Sequence, residues 1–351
     1  NTKYFLNLEK KRQTNNKISS IHTSDGRYVY SSEEILKEGA KFYRNLYDCT
    51  NISPEERDEY LDGITTNKKL TKVEALLCEG KISNEECETV IKQMAKNKSP
   101  GYDGLPSEFY LHFWNDVQTL VIDSFNEAFV TGELSESHKQ IIISLIFKKD
   151  DRKYFKNYRP ISLSNVDYKI LAFTLANRLQ KVIAKLISPE QVAYIKERYI
   201  GQNIRLLLDV LEYTKIRNKP GVLLFLDFEK AFDSLNWNFI HKCLQRFGFE
   251  ENFCRWIKII YTDPKAFINI NNFLSETVSF KRGIRQGCPL SSLIFIICTE
   301  FMALQIKENN QIKGIELRSE ENVACIKITQ YADDTCMYIK DFEQINLCID
   351  T

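Results

Sequence analysis

Tyr331-Ala332-Asp333-Asp334 lies between two apolar, β-prone runs, Ala324-Cys325-Ile326-Lys327-Ile328-Thr329 before it and Thr335-Cys336-Met337-Tyr338-Ile339 after it. The pattern predicts strand, turn, strand. An Asp-Asp dipeptide standing alone is ordinarily solvated turn chemistry. Successive strand residues point to opposite faces, so both carboxylates reach one place only if the hairpin turn carries them. Apolar flanks bury the base of such a turn, where uncompensated charge is costly and a divalent cation removes the cost. A third carboxylate ends another apolar run, Gly221-Val222-Leu223-Leu224-Phe225-Leu226-Asp227. Two cations held about 3.5–4 Å apart by such a set can stabilise both oxygens of an in-line phosphoryl displacement.

Val222 to Leu226 reads as a buried strand from which Asp227 emerges, and the chain then shifts to helical spacing through Trp237, Ile240 and Leu244. The bland alternative, an exposed carboxylate at a strand end, is frequent in mixed folds. A third segment, Gly283-Ile284-Arg285-Gln286-Gly287-Cys288-Pro289-Leu290-Ser291, leads into an apolar run from Leu293 to Leu304. Pro289 suits a helix's first turn and Gly287 permits close backbone approach; a tight turn capping a core helix would look the same.

In order, Leu226-Asp227 through Phe232-Asp233, Arg285 through Ser291, and Tyr331 through Asp334 resemble motifs A, B and C of reverse transcriptases. Ser99-Pro100-Gly101-Tyr102-Asp103-Gly104, followed by Glu108-Phe109-Tyr110, is similar to the N-terminal extension motif of LINE-class non-LTR retrotransposons. Asn157-Tyr158-Arg159-Pro160-Ile161-Ser162-Leu163 and Leu175-Ala176-Asn177-Arg178-Leu179 resemble that class's fingers motifs, and Asn1 to Lys10 its linker between endonuclease and polymerase. The likeness extends over essentially the whole chain. It also implies segments outside these residues: an endonuclease before them, and a primer grip, thumb and cysteine-rich region after them. The chain thus reads as a piece of a longer open reading frame.

The resemblance implies roles position by position. Asp227 and Asp333 match the metal-binding carboxylates, Asp334 the adjacent acidic residue, and the carbonyl of Phe228 a further metal ligand. Phe232 falls at the aromatic position that leaves no room for a 2′-hydroxyl. Gln286 and Gly287 shape the pocket around template base and incoming nucleotide, while Tyr331 and Arg285 belong with primer and template. Arg159 is the fingers' triphosphate contact, since guanidinium grips phosphate bidentately, with Lys148 or Lys149 assisting; without the family match, Arg159 is a surface cation beside a turn-forming Pro. The cofactor implied is Mg2+, two ions, with Mn2+ as substitute. The partners implied are an RNA template, a DNA primer or target, and dNTPs, in a ribonucleoprotein of nucleus and cytoplasm.

With 351 residues, 43% of them hydrophobic, the chain can bury two or three cores. No uninterrupted apolar run reaches eighteen residues, so no membrane-spanning helix is predicted. The 10 cysteines are scattered without a C-x-x-C pair, as buried free thiols of a reducing compartment are, and the 4 histidines are dispersed. Net charge is only +1, yet Lys139 to Lys215 holds 15 basic against 7 acidic residues, a net of +8. That is the footprint of a surface facing a phosphate backbone, although Lys181 and Lys185 also fit a solvated helix face.

Three parts follow: 1–60, linker and N-terminal extension, with Ser31-Ser32-Glu33-Glu34 starting a helix; 61–220, fingers with the extension motif; and 221–351, an incomplete palm without a thumb. The fingers part holds a strand over Ile141–Phe147 and an amphipathic helix over Tyr168–Leu186 stopped at Ser188-Pro189. The palm part holds helices near 236–247, 252–261 and 290–308 and a hairpin around Asn271-Asn272. The fold class is α+β, a right-hand polymerase arrangement whose antiparallel catalytic sheet packs on helices along one face. The function implied is RNA-directed DNA synthesis by target-primed reverse transcription. A group II intron maturase shares the polymerase motifs but not the opening linker or the Ser99 to Tyr110 segment. Phe232 and the Tyr-Ala-Asp-Asp turn argue against a viral RNA polymerase, and intact Asp227, Asp333 and Asp334 against a decayed or domesticated copy that binds nucleic acid without catalysis.

Overall fold

The computed structural model describes residues 17–48, 53–318 and 323–350, so the opening linker motif lies outside the described residues. The chain folds as two compact units that interleave in sequence. One comprises Asn1–Cys49, Ile82–Ala172 and Lys258–Cys288; the other comprises Thr50–Lys81, Phe173–Ile257 and Pro289–Thr351. The strands among the described residues are β1 (Ile21–His22), β2 (Tyr28–Val29), β3 (Gln140–Phe147), β4 (Tyr158–Ser164), β5 (Val222–Leu226), β6 (Lys265–Ile270), β7 (Phe273–Ser279), β8 (Ile315–Arg318), β9 (Val323–Ile326), β10 (Ile328–Tyr331) and β11 (Asp334–Ile339).

The first unit is built on a four-stranded sheet of order β4-β3-β6-β7. β3 pairs antiparallel with β4 and parallel with β6. The hairpin at Asn271-Asn272 joins β6 to β7, both residues at positive φ (54° and 70°), as a tight two-residue turn demands. The helix Ser32–Leu46 starts where the Ser31 side chain accepts from the Glu34 N–H, and it buries Ile35, Ala40 and Tyr43. It lies on β6 and β7, and Tyr47 beyond its end stacks on Phe280 at 3.8 Å. The Ser99 to Gly104 segment is tied to this sheet by contact rather than by ladder. Tyr102 stacks on Phe267 at 5.1 Å, and Gly101 passes so close to Asn165 that a Cβ would lie 2.4 Å from its backbone nitrogen. Only glycine fits there.

The second unit holds the antiparallel sheet of order β10-β11-β5 and the separate β8–β9 pair. Its core is the helix Pro289–Glu308, most of whose apolar residues are buried. By length and composition that helix could cross a membrane; here Leu290, Ile294, Ile296, Ile297 and Phe301 are fully buried among protein side chains, each worth about 1.5–3 kcal/mol against exposure. Met337 and Ile339 of β11 pack with Ala303 and Ile306 of this helix. Cys336 and Tyr338, on the opposite face, pack with Val210, Leu206 and Leu207 of the helix Gly201–Ile216. Helices therefore cover both faces of the sheet, not one.

Three further local expectations change. The apolar run Ala324 to Thr329 forms two strands, because Lys327 between them turns its ammonium onto the carbonyls of Lys307 and Asn309, both at 2.8 Å. The helix expected over Tyr168–Leu186 divides into Val166–Gln180 and Ile183–Leu186; Val182 leaves helical geometry and with Ile183 and Leu186 reaches the core. β5 is not a buried strand: Phe225 is 66% exposed. Among the described residues every cysteine is a free thiol, and all but Cys325 are buried.

Candidate active site

β11 brings the two acidic segments together. It pairs with β10 across the two-residue turn Ala332-Asp333, with Tyr331 opposite Asp334. On its other side it pairs with β5, with Thr335 opposite Leu226. Leu226 is the last residue of β5, so Asp227 leaves the sheet at the same end as Asp333 and Asp334. Asp227 and Asp334 are exposed and Asp333 half-buried. An open cleft of about 310 Å³ is lined here by Asp227, Asp334, Tyr331, Phe225, Ile204 and Asn203.

Among the described residues, no three His, Cys, Asp or Glu side chains stand close enough as placed to share one ion. The donor set nevertheless suits a hard divalent cation. Asp227 and Asp334 are carboxylates facing an open cleft, with no ion pair to a basic residue among the described residues, and oxygen ligands are what Mg2+ takes. The Phe228 carbonyl belongs to the exposed residue immediately after Asp227.

The turn itself is held in an uncommon shape. Ala332 has φ +57°, a left-handed conformation costing a non-glycine residue about 1–3 kcal/mol. It is buried, and its N–H donates to Gln191 Oε1 at 3.0 Å while its carbonyl accepts from Gln191 Nε2 at 3.2 Å. Gln191 lies on a stub of extended chain at the free edge of β10: Gln330 N–H donates to the Glu190 carbonyl at 2.9 Å, and Val192 N–H to the Gln330 carbonyl at 3.1 Å. Asn203 Nδ2 adds a third bond to that carbonyl pair, at 2.8 Å from the Gln330 oxygen. Tyr194 is close enough that burial first, and the Asp333 charge second, push its hydroxyl up. Sequence reading missed Gln191, Asn203 and Tyr194. The one signal was a polar amide set in the short apolar stretch after Pro189.

Phe232 lies flat against Phe295 of the core helix, centroids 4.8 Å apart and rings 7° from parallel. The following Asp233 is buried. Glu300 of the same helix is a fully buried carboxylate, accepting from Ser188 N–H at 3.0 Å and pairing with Lys68 at 2.9 Å.

The remaining candidates belong to the first unit. Arg159 on β4 stands opposite Ile146 of β3, and Lys148, two residues on from Ile146, falls on the same face by strand alternation. All three are exposed, and the ladder continues through Lys148 N–H to the Asn157 carbonyl at 2.9 Å. Lys149 is exposed as well. Gln286 accepts at its carbonyl from Ser162 N–H at 2.8 Å, and Gly287, at φ +100°, crosses β4 where a Cβ would meet the Ser162 carbonyl at 3.4 Å. Arg285 is 3% exposed, its guanidinium 3.9 Å above the Tyr168 ring and 3.4 Å from the Ile260 carbonyl. Its Nε and Nη1 are buried without a hydrogen-bond partner among the described residues.

Residues 146–351 match the family described as Reverse transcriptase (RNA-dependent DNA polymerase). The chain is 33% identical over 97% of its length to the Transposon TX1 uncharacterized 149 kDa protein of Xenopus laevis, covering 26% of that protein. It is 25% identical over 72% of its length to a Retrovirus-related Pol polyprotein from type-1 retrotransposable element R2 of Nasonia vitripennis. To the corresponding type-2 element R2DM protein of Drosophila melanogaster it is 22% identical over 74% of its length. It spans about a quarter of the length of these relatives, 23% of each of the two R2 proteins. The chain belongs to the reverse transcriptase family, on its non-LTR, LINE-class retrotransposon branch.

Proposed function

We propose that this chain carries the polymerase centre of an RNA-directed DNA polymerase that copies its element's RNA by target-primed reverse transcription. The observation that carries the reading is the β5–β11 pairing, which supports Asp227, Asp333 and Asp334 acting as one acidic centre. In the reaction a primer 3′-hydroxyl attacks the α-phosphate of a dNTP, and pyrophosphate leaves. Asp227, Asp333 and the Phe228 carbonyl hold Mg2+, with Asp334 beside them. Two such ions, or Mn2+ in their place, supply Lewis acidity that lowers the hydroxyl's pKa and neutralises the departing phosphates. Tyr331, exposed beside the turn, offers a ring to the primer's terminal base. Phe232, braced by Phe295, offers a rigid wall to the sugar.

On the first unit, Arg159 and Lys148 offer cations to polyphosphate, and Gln286-Gly287 a narrow backbone surface to a base pair. The partners are an RNA template, a DNA primer at a nicked target, and dNTPs, in a ribonucleoprotein of nucleus and cytoplasm. The test is extension of a DNA primer on an RNA template by the full chain. Incorporation that a chelator stops and Mg2+ restores supports the reading. Template and primer bound with no Mg2+-dependent incorporation overturns it in favour of a nucleic-acid-binding protein.

A further inference from the structure

We propose that Gln191 is a positioning residue of the catalytic turn: its carboxamide closes a two-bond ring on Ala332 and fixes the direction in which Asp333 and Asp334 leave the sheet. This rests on the polymerase reading above. A tight turn usually takes its left-handed residue from glycine or asparagine. Alanine has no side-chain group to hold such a conformation, so the restraint comes from elsewhere, and both polar atoms of the Ala332 backbone are taken by one side chain.

That side chain is itself buried and bonded on more than one side. Gln191 is 1% exposed, and its Oε1 also accepts from Ala193 N–H at 3.0 Å. Its backbone carbonyl accepts from Arg198 at 2.9 Å, and Arg198 also holds the Ser188 carbonyl at 2.6 Å. Ser188 in turn is anchored through both its N–H and its hydroxyl to the buried Glu300. The stub of chain carrying Gln191 is thus fixed to the core helix at one end and to Gln330 of β10 at the other. Asp333 on the two-residue turn and Asp334 just after it keep one orientation only if the turn backbone does. Groups behind metal ligands commonly alter metal affinity by about 10–100-fold when removed.

The test compares wild type with Gln191→Ala and with the near-isosteric Gln191→Met, which keeps most of the side chain's volume, adds no charge beside Asp333 and removes both bonds to Ala332. Amide hydrogen exchange at Ala332 should quicken about tenfold in both variants while amides of the core helix are unchanged. Mn2+ affinity read by electron paramagnetic resonance should weaken about tenfold, and so should the Mg2+ concentration needed for half-maximal primer extension rise. At saturating metal, KM for dNTP should match wild type. Unchanged exchange at Ala332, or unchanged metal affinity, in the folded Met variant overturns the proposal. If wild type extends no primer yet the exchange and Mn2+ differences appear, the polymerase reading falls and the positioning role stands.

Discussion

Leu226 stands directly opposite Thr335 in the antiparallel pairing of β5 with β11, so Asp227 and Asp334 begin where the ladder between these strands ends. Residues more than a hundred positions apart are placed side by side by one register. A slip of one residue would turn every side chain of β5 to the other face.

For the acidic centre, Asp333→Asn should lower dNTP incorporation by about a thousandfold or more, with circular dichroism and Tm unchanged, since the side chain is only half-buried. Asp227→Asn should behave alike. Activity retained within tenfold in either variant would remove that residue from the chemistry.

For sugar choice, Phe232→Ala should raise ribonucleotide use relative to deoxynucleotide by about tenfold, through loss of a clash rather than gain of a contact. Measuring kcat/KM for both nucleotide types decides it. An unchanged ratio would transfer selectivity to another residue. The ring's stacking on Phe295 predicts a second effect, a modest fall in Tm.

For nucleic acid, alanine at both Arg159 and Lys148 should flatten the dependence of RNA affinity on salt, reducing the slope of log K against log salt by about 1 for each lost phosphate contact. Affinity lowered with an unchanged slope would mean that neither cation touches phosphate.

For the core, Glu300→Ala should cost about 2–4 kcal/mol, because it leaves Lys68 and the Ser188 N–H without their partner in a largely buried place. Chemical denaturation reads this directly. A loss below 1 kcal/mol would show that Lys68, 30% exposed, finds water at little cost.

For acid stability, Glu74 is held down to about 2 from 4.5 by its hydrogen bond from Lys185 first and by the Thr71 cap second. Its folded pKa lies below the unfolded one, so its contribution is fully present above about pH 4.5 and is lost as pH falls towards 2. The difference in Tm between wild type and Glu74→Gln should therefore shrink through that window and vanish at its acid end. A difference that stays constant from pH 6 to 2 would contradict the assignment.

The strand–turn–strand around Asp333-Asp334 was legible because turn chemistry interrupts alternating apolar runs, and the hairpin at Asn271-Asn272 because asparagine tolerates positive φ. The Pro289–Glu308 helix was legible because its apolar content leaves nowhere else to go. What escaped was long-range. Nothing local marks Gln191 as the partner of Ala332, because a single amide gives no periodicity. The exposure of Phe225 was hidden because a run of five apolar residues cannot say which of its faces is open. The break at Lys327 depends on carbonyls at the end of a helix some twenty residues earlier in the chain, which no propensity scale contains.

The interleaving of the two units has a consequence for how the chain is made. The first unit's β3 cannot find its parallel neighbour β6 until the ribosome has synthesised the residues from Lys265 onward, and the second unit has no core before Pro289–Glu308 emerges. Until then Ile141, Ile143, Leu175 and Leu179, all fully buried in the finished protein, remain in an unfinished nascent chain. Non-local closure of this kind is slow and exposes sticky surface meanwhile. Ribosomes that stop between residues 172 and 258 would release a product containing neither finished unit, a natural client for chaperones and proteases.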